Sequence, residues 1–388
     1  MKIFKHNANI HVSHYVGLTG IGGVQNNFVE YLNHVAKSNT RIKHKVYTLG
    51  QVDSQYKLPV SVLNIKNPRN FIALVLDIIS KKHIVHFYNN LTSLKVALLL
   101  FMIPTKKTIF HERGAIWNVS SGHRRIIQFI AWKSSTILSN SHATKTMLVN
   151  KFLVPDKKIK VIHNGINILL ECKRKKSSRK ISSKFRVGYI GRFESPKGVH
   201  ILIDAMSYLV SENIDLILAG EGTLESDLKF NARPIKNIFF IGRVEDPYNF
   251  ISGLDLLVVP SIREPLGNVC LEAGLCKVPV LAANIDGIPE IIESGVSGEL
   301  IDPTIKILIN LPKNSIPFPG AVVNPITREI YTPKQIDPSL LARKILNLSY
   351  DHDKLKGYSD KLHDKVVTYF NMDRYEKELH AIYDDLNV

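Results

Sequence analysis

The chain has 388 residues, 45% of them hydrophobic, and a formal net charge of +17. Its length suits two or three domains and its composition supports real cores, which excludes a disordered or fibrous chain. Three cysteines, Cys172, Cys270 and Cys276, have no metal-ligand spacing; they argue against a disulfide framework or a zinc site and for a reducing compartment.

Charge is spread unevenly. Residues 1–183 carry 29 Lys and Arg against 6 Asp and Glu, whereas residues 184–388 carry 22 against 28. A basic half beside a mildly acidic one calls for an anionic partner: nucleic acid, an anionic membrane surface or an acidic glycan. Residues 1–12 show no signal-peptide apolar core, so a cytoplasmic protein is expected. The longest apolar run, residues 96–103, is far short of the roughly 20 residues that span a bilayer, and it reads as a buried helix.

The first half alternates short β-rich runs with helical patterns. Strands are expected at 2–4 or 10–13, 45–49, 84–88, 108–111, 136–139 and 161–163, with helices at 24–36, 71–80, 93–102, 123–133 and 143–152. This alternation predicts a doubly wound parallel sheet. Gly22 and Gly23 open the first helix, where they either let backbone approach a ligand at a helix N-terminus or simply form a turn. The strand at 108–111 ends in His111-Glu112-Arg113-Gly114, with Glu112 and Arg113 expected to pair; His111 is a structural or a site histidine. His6, His11 and His14 lack metal-ligand geometry and are expected to line a cleft or its loops. Residues 121–133 mix Arg124, Arg125 and Lys133 with Ile126, Ile127, Phe129, Ile130 and Trp132. That pattern suits either a helix in a membrane interface or a core-facing helix with a solvated basic face. Asn164-Gly165 marks a turn, and residues 172–184, polar and basic without an apolar period, read as a linker.

The second half restarts with a strand at 186–190, then Gly191-Arg192-Phe193-Glu194-Ser195-Pro196-Lys197-Gly198, then a helix at 199–209. Arg192 and Lys197 bracket a loop that feeds a helix N-terminus, which places two cations and a helix dipole where one anion can sit. A strand at 215–219, a helix at 224–230 and a strand at 238–241 lead to Gly242-Arg243. An apolar run, Leu254 and Leu256 to Val259, precedes PSIREPLGNVCLEAG at 260–274. Here Glu264 lies in a loop at the carboxyl end of a strand, Asn268 is the expected N-cap, and Glu272 lies a turn into the helix. The backbone N–H groups of Leu266, Gly267, Asn268 and Val269 fall between the two carboxylates and suit an anion. A strand at 278–282 and Gly287-Ile288-Pro289-Glu290 follow. Asp351-His352-Asp353 has the letters of a D-x-D metal motif but sits between helical stretches, and reads as a turn and helix cap.

The two glutamates eight apart in S-x-x-E-P-x-G-x-x-x-x-E-A closely resemble the signature of the family-4 retaining glycosyltransferases of the GT-B fold, of the bacterial surface-polysaccharide and lipopolysaccharide type. The string from Gly191 to Gly198 is similar to that family's G-R-x-x-x-x-K-G, and Gly22-Gly23-Val24 to its G-G-V/M loop. The resemblance covers most of residues 20–300. It implies two Rossmann-like doubly wound parallel-sheet domains facing a cleft. These would be an acceptor-binding domain at 1–170, a hinge at 171–184, a nucleotide-sugar-binding domain at 185–366, and a C-terminal helix at 367–388 that crosses back.

By the same resemblance, Arg192 and Lys197 hold the donor diphosphate with the backbone of Gly22, Gly23 and Gly191. Gly242 and Arg243 lie against the base, Glu272 takes the ribose diol, Glu264 takes donor-sugar hydroxyls with the amides at 266–269, and His111 lies near the donor sugar. The implied reaction is retaining hexosyl transfer from a nucleotide-sugar, UDP favoured over GDP, to a glycan or glycolipid acceptor, without a metal or other cofactor. The implied place is the inner face of the plasma membrane, with an anionic membrane surface as partner and no specific nucleic acid. Alternatives are a nucleotide-sugar epimerase of the same fold, or a non-enzymatic binder of nucleic acid or acidic glycan. Lys277 and Asp286 depart from the pattern, standing where glycines are common, and residues 304–333 are an insertion without an assigned place.

Overall fold

The computed structural model describes residues 9–20, 22–38, 40–169, 184–307, 311–312 and 315–387. The expected strand at 2–4, His6, and the linker up to Ser183 with Cys172 lie outside these residues. The chain divides into two units, Met1–Asn167 with Asn371–Val388, and Ile168–Phe370.

The first unit runs β1 (Ile10–Tyr15), α1 (Gly23–Val35), β2 (Ile42–Thr48), β3 (Val62–Asn64), α2 (Pro68–Ile79), β4 (His83–Tyr88), α3 (Leu94–Met102), β5 (Thr108–Glu112), α4 (Arg124–Lys133), β6 (Thr136–Ser139), α5 (His142–Asn150) and β7 (Ile159–Val161). The strands form one parallel sheet in the order β3-β2-β1-β4-β5-β6-β7. Strands such as β5 and β6 are buried along their whole length, as in a sheet covered on both faces. β3 was not legible: three half-buried residues at a sheet edge leave no apolar run. β7 ends earlier than expected, because the carbonyls of His163 and Asn164 accept hydrogen bonds from Arg374 Nη2 (2.8 and 3.0 Å) instead of continuing the ladder.

The crossovers β3→β4, β4→β5 and β5→β6 run in one direction across the sheet, so right-handed connections put α2, α3 and α4 on one face. The expectation that α3 is buried is corrected. Val96, Ala97 and Leu100 face the core, whereas Leu94, Leu98, Phe101 and Met102 are exposed. An unbroken apolar run conceals which face of a helix meets the sheet. In α4, Ile127, Ile130 and Ala131 are buried, while Arg125 and Trp132 are exposed.

The second unit contains β8 (Phe185–Ile190), α6 (Val199–Met206), β9 (Ile214–Ala219), α7 (Glu225–Ala232), β10 (Ile238–Gly242), α8 (Pro247–Ser252), β11 (Leu256–Val259), α9 (Asn268–Leu275), β12 (Val280–Ala283), α10 (Ile288–Ile291), β13 (Glu299–Ile301), β14 (Val322–Val323), β15 (Ile330–Tyr331), α11 (Pro338–Tyr350) and α12 (His352–Tyr369). Six parallel strands stand in the order β10-β9-β8-β11-β12-β13. The insertion forms the antiparallel pair β14-β15. Asp351 caps α12, its side chain accepting the Lys354 N–H at 3.0 Å. The last helix, α13 (Met372–Asn387), belongs to the first unit, where Met372, Tyr375, Leu379, Ile382 and Tyr383 join the core of β1, β2 and α1. Among the described residues no helix is long and apolar enough to cross a membrane.

Candidate functional site

In the second unit, the loops after β8, β9, β10 and β11 leave the carboxyl ends of the strands, where open parallel sheets hold ligands. Backbone hydrogen bonds knit them together. Gly191 N–H donates to Ala219 O (3.0 Å), Gly220 N–H to Gly242 O (2.8 Å) and Phe193 N–H to Glu221 O (2.8 Å), which brings the predicted Gly191 and Gly242 to neighbouring positions. The Glu194 carboxylate accepts the Thr223 hydroxyl at 2.7 Å, and Tyr189 Oη donates to Arg192 O at 3.0 Å. Arg192 and Arg243 are exposed.

Lys197 ends a short turn whose next residue, Gly198, has φ 67°; a Cβ there would lie 2.1 Å from Pro260 O. Glycine alone lets this turn rest against the end of β11. Pro196 O in turn accepts the N–H groups of Ile262 (2.9 Å) and Arg263 (3.1 Å). With the two loops fixed, Lys197 Nζ lies 2.6 Å from Glu264 Oε2, which also accepts Ser261 Oγ at 3.3 Å. Two residues assigned above to different parts of a ligand are thus bonded to each other.

The chain enters α9 through Gly267, at φ 99° and ψ 57°. Gly267 is therefore the N-cap and Asn268 the first helical residue, which corrects the expectation that Asn268 caps: the left-handed conformation that turns the chain falls one residue earlier, where glycine meets it without strain. First-turn amides of a helix have no intrahelical partner and point toward an anion at its end. Glu272 stands one turn on, half-buried, and its carboxylate has no hydrogen bond to any described residue. Desolvation pushes it up to about 7. Glu264, Glu272 and Lys197 all act on the buried Cys270 thiol, whose pKa is raised first by burial and then by the two carboxylates, against the lysine. The structure thus gathers Lys197, Glu264 and Glu272 around the start of α9.

Two contributors were not legible in the sequence. Asp286 has φ 46°, and its carboxylate accepts the Glu264 N–H (2.9 Å) and the Val323 N–H (2.7 Å). It ties the glutamate loop to the β14-β15 insertion; burial outweighs these bonds and raises it to about 7. The Ser195 hydroxyl donates to Ile316 O, a second tie between the insertion and the lysine loop. The Arg263 guanidinium is depressed by burial and opposed by Glu264 and Asp286. The only sequence hint was Asp286 standing where glycine is common. A surface cavity of about 690 Å³ lies away from these loops, lined by Phe185, Ile214, Leu254 and Tyr350 near the opposite ends of β8 and β9.

In the first unit, Gly22 is the N-cap of α1 and Gly23 its first residue. His111, next to last in β5, is buried, and neither ring nitrogen has a hydrogen-bond partner. Burial, then Arg113, holds it well below the usual histidine range, so the imidazole is neutral. The expected Glu112–Arg113 pair does not form. Glu112 Oε1 accepts the N–H groups of Gly114 (2.8 Å) and Ile116 (3.2 Å), while Arg113 Nη2 donates to Asn27 Oδ1 (2.5 Å) and Asn164 Oδ1 (2.6 Å). Arg113 lies just past the end of β5, where the chain bends, and each side chain is taken up by its own partners. Nor does His14 line a loop: it is fully buried, with Nε2 2.9 Å from His44 Nδ1. His11 is exposed at the amino end of β1, beside the His83 ring.

Residues 173–309 match the glycosyl transferases group 1 family. The capsular polysaccharide biosynthesis glycosyltransferase CapM of Staphylococcus aureus is 26% identical over 217 residues, 50% of this chain and 56% of that protein. N-acetyl-alpha-D-glucosaminyl L-malate synthase of Bacillus anthracis is 28% identical over 190 residues, 46% of this chain and 49% of that protein. The chain thus spans about half the length of the curated relatives it matches. Anabaena Alr3699/HepE in complex with UDP and glucose superposes with a TM-score of 0.74 at 19% identity, over 97% of this chain and 100% of that one. WaaG, a glycosyltransferase involved in lipopolysaccharide biosynthesis, gives 0.63 at 16%, over 96% and 99%. These likenesses establish the fold, GT-B with two Rossmann-like units.

Proposed function

We propose that this chain, whose residues 173–309 match the group 1 glycosyl transferases, moves a hexosyl unit from a nucleotide-sugar to a glycan or glycolipid acceptor of a surface polysaccharide. UDP is the favoured base, the anomeric configuration is retained, no metal takes part, and the reaction runs at the cytoplasmic face of the membrane. The observation that carries this reading is the grouping of Lys197, Glu264 and the unpartnered Glu272 around the start of α9. The relatives and neighbours support it by kind: a capsular polysaccharide glycosyltransferase in sequence, a UDP-glucose complex in fold.

The chemistry follows from charge. Breaking a sugar–diphosphate bond leaves negative charge on phosphate and positive charge on the anomeric carbon. Arg192, Lys197 and the amides opening α9 are fixed positive charge for the leaving group, and in many enzymes preorganised charge lowers the barrier more than any other effect. Donor arrival exchanges the Lys197–Glu264 bond for two new ones, lysine to phosphate and glutamate to sugar hydroxyls. The ribose diol donates to Glu272. The departing phosphate takes the acceptor proton on the face it leaves.

Titration calorimetry with UDP, GDP and their sugar conjugates in EDTA, followed by NMR of the transferred product, tests the proposal. Base-selective binding in EDTA and an axial or equatorial anomeric proton matching the donor are expected. A donor consumed without any acceptor dependence would instead point to an epimerase.

A further inference from the structure

On the reading of these loops as a donor site, we propose that the insertion between Ile305 and Gln335 is a brace that holds the lysine turn and the glutamate loop in register, with Ser195 and Asp286 as positioning residues. The insertion starts from a closed base, where Ile305 and Gln335 exchange both backbone hydrogen bonds, at 3.1 and 2.9 Å. It meets the lysine turn at two points. The Ser195 hydroxyl, two residues before Lys197, donates to Ile316 O. Three residues after Lys197, at the start of α6, His200 Nε2 lies 3.2 Å from Gln335 Oε1. Ser195, His200 and Gln335 are all buried, so these bonds are shielded from water and stronger for it.

On the other side β14 holds Asp286 twice: Val323 N–H donates to the Asp286 carboxylate (2.7 Å), and Asp286 N–H donates to Val323 O (3.2 Å). Asp286 and Gly287 carry this hold to Glu264. The Glu264 N–H donates to the same carboxylate (2.9 Å), and its carbonyl accepts the Gly287 N–H (3.1 Å), so both backbone polar groups of the glutamate are fixed. Asp286 keeps left-handed backbone, at φ 46°, which strains any residue with a Cβ and persists where surrounding bonds over-determine it. What aspartate supplies there, and glycine lacks, is a pair of acceptors joining two loops. Pro196 O ties the bases of the lysine turn and the glutamate loop through the N–H groups of Ile262 and Arg263; the insertion adds ties beside Lys197 and at Glu264 itself. Once a donor exchanges the Lys197–Glu264 bond for bonds to itself, that bond no longer sets the spacing of the two side chains, and the insertion does. Six prolines between residues 303 and 333 fix backbone angles along the segment, as suits a brace.

The test compares the wild type with Ser195→Ala, Asp286→Asn and a shortened chain in which Asn-Gly replaces residues 306–334. Residues that exchange both backbone bonds, as Ile305 and Gln335 do, are the pair a two-residue turn closes. Hydrogen exchange reads the ligand-free protein at the amides of Gly198, Ile262 and Arg263, which bond within and between the two loops and not to the insertion. Exchange there should quicken about tenfold in Asp286→Asn and in the shortened chain, and less in Ser195→Ala. Calorimetry reads the site: UDP affinity should fall about tenfold in the first two and about threefold in Ser195→Ala, which should add nothing in the shortened chain, where its acceptor is gone. Lys197→Ala should cost less affinity in the shortened chain than in the intact one, because a lysine no longer held in place has less to lose; a merely stabilising segment would leave the two losses equal. If the shortened chain does not fold, Asp286→Asn serves as the background for the same comparison. Unchanged exchange at the three amides, or equal Lys197→Ala losses with and without the brace, overturns the proposal. Quickened exchange in a protein whose wild type binds no UDP would leave the brace standing and count against the donor reading alone.

Discussion

Lys197 Nζ lies 2.6 Å from Glu264 Oε2, joining the turn after β8 to the loop after β11. Both side chains are largely shielded, so the pair is neither a loose surface bridge nor a fully desolvated one. A ligand with phosphate on one side and hydroxyls on the other replaces each partner in kind. Lys197→Ala is expected to lower kcat/KM by about 10²–10³, the usual loss on deleting one preorganised donor. Lys197→Arg should restore part of it. A double-mutant cycle with Glu264→Gln should show coupling; strictly additive losses would mean that the two act separately. Melting curves of each variant separate a folding defect from a chemical one.

Glu272 gives a pH prediction. Its carboxyl is raised to about 7 by burial, so it is largely protonated below that pH in the free protein. The ribose diol donates hydrogen bonds and needs the ionised form as acceptor. UDP affinity should therefore be flat above about pH 7.5 and fall about tenfold per unit below 7. Asp286 is also raised to about 7 and titrates in the same window, so Glu272→Gln identifies the group: it should weaken binding and flatten the profile. A profile unchanged in that variant would exclude Glu272.

Lys277 and Asp286 both hold left-handed backbone, at φ 53° and 46°. Lys277 follows α9, and its N–H donates to Gly274 O while Val278 N–H donates to Ala273 O, the closing bonds of a helix that ends on a glycine elsewhere. Lys277→Gly should stabilise the chain by about 0.5 kcal/mol, the left-handed penalty less the entropy of glycine. Asp286→Gly gains the same backbone relief but loses two amide acceptors, and should destabilise by about 1–3 kcal/mol and weaken UDP binding. Urea midpoints for the two variants should thus move in opposite directions.

The first unit buries a histidine–tyrosine network. His14 bonds His44 at 2.9 Å, His86 Nδ1 bonds Tyr383 Oη at 2.8 Å, and Tyr31 Oη bonds His380 Nε2 at 3.1 Å. Burial depresses His44 and His380 to about 4 and holds His14, His86 and His111 well below the usual range. Unfolded histidines take protons near 6.5, so the stability these five contribute is full above that pH and is lost as pH falls toward 4, at about 1.4 kcal/mol per unit of depression. Glu112, Glu272 and Asp286, raised to about 7, act in the opposite direction over this window. Five outweigh three, and the melting temperature should drop between pH 7 and pH 5, less so in His380→Asn. A melting temperature that rises on acidification would mean the carboxyls dominate.

Local pattern carried most of the fold into the sequence. Alternating apolar runs and helical periods foretold both parallel sheets, and glycines flanking charges marked the loops at the strand ends. What escaped depends on partners remote in sequence. Asp286 acquires its role from Val323, 37 residues on, in an insertion without periodic signal. The pairing of Lys197 with Glu264 spans 67 residues and rests on a glycine fitting against Pro260. The outward face of α3 was hidden because a helix apolar on every side does not declare which side is covered. Glu112 and Arg113 were joined by adjacency in sequence, but Glu112 turns to the amides of the following turn and Arg113 to Asn27 and Asn164, which are remote in sequence.

The most direct test is calorimetric titration of the wild-type chain, Lys197→Ala and Glu272→Gln with UDP in EDTA. Saturable binding to the wild type is predicted, preferring UDP over GDP and ADP, with about tenfold or greater weakening in each variant. Absence of binding by any nucleoside diphosphate, or binding indifferent to both substitutions, would contradict the placement of a nucleotide-sugar at the start of α9.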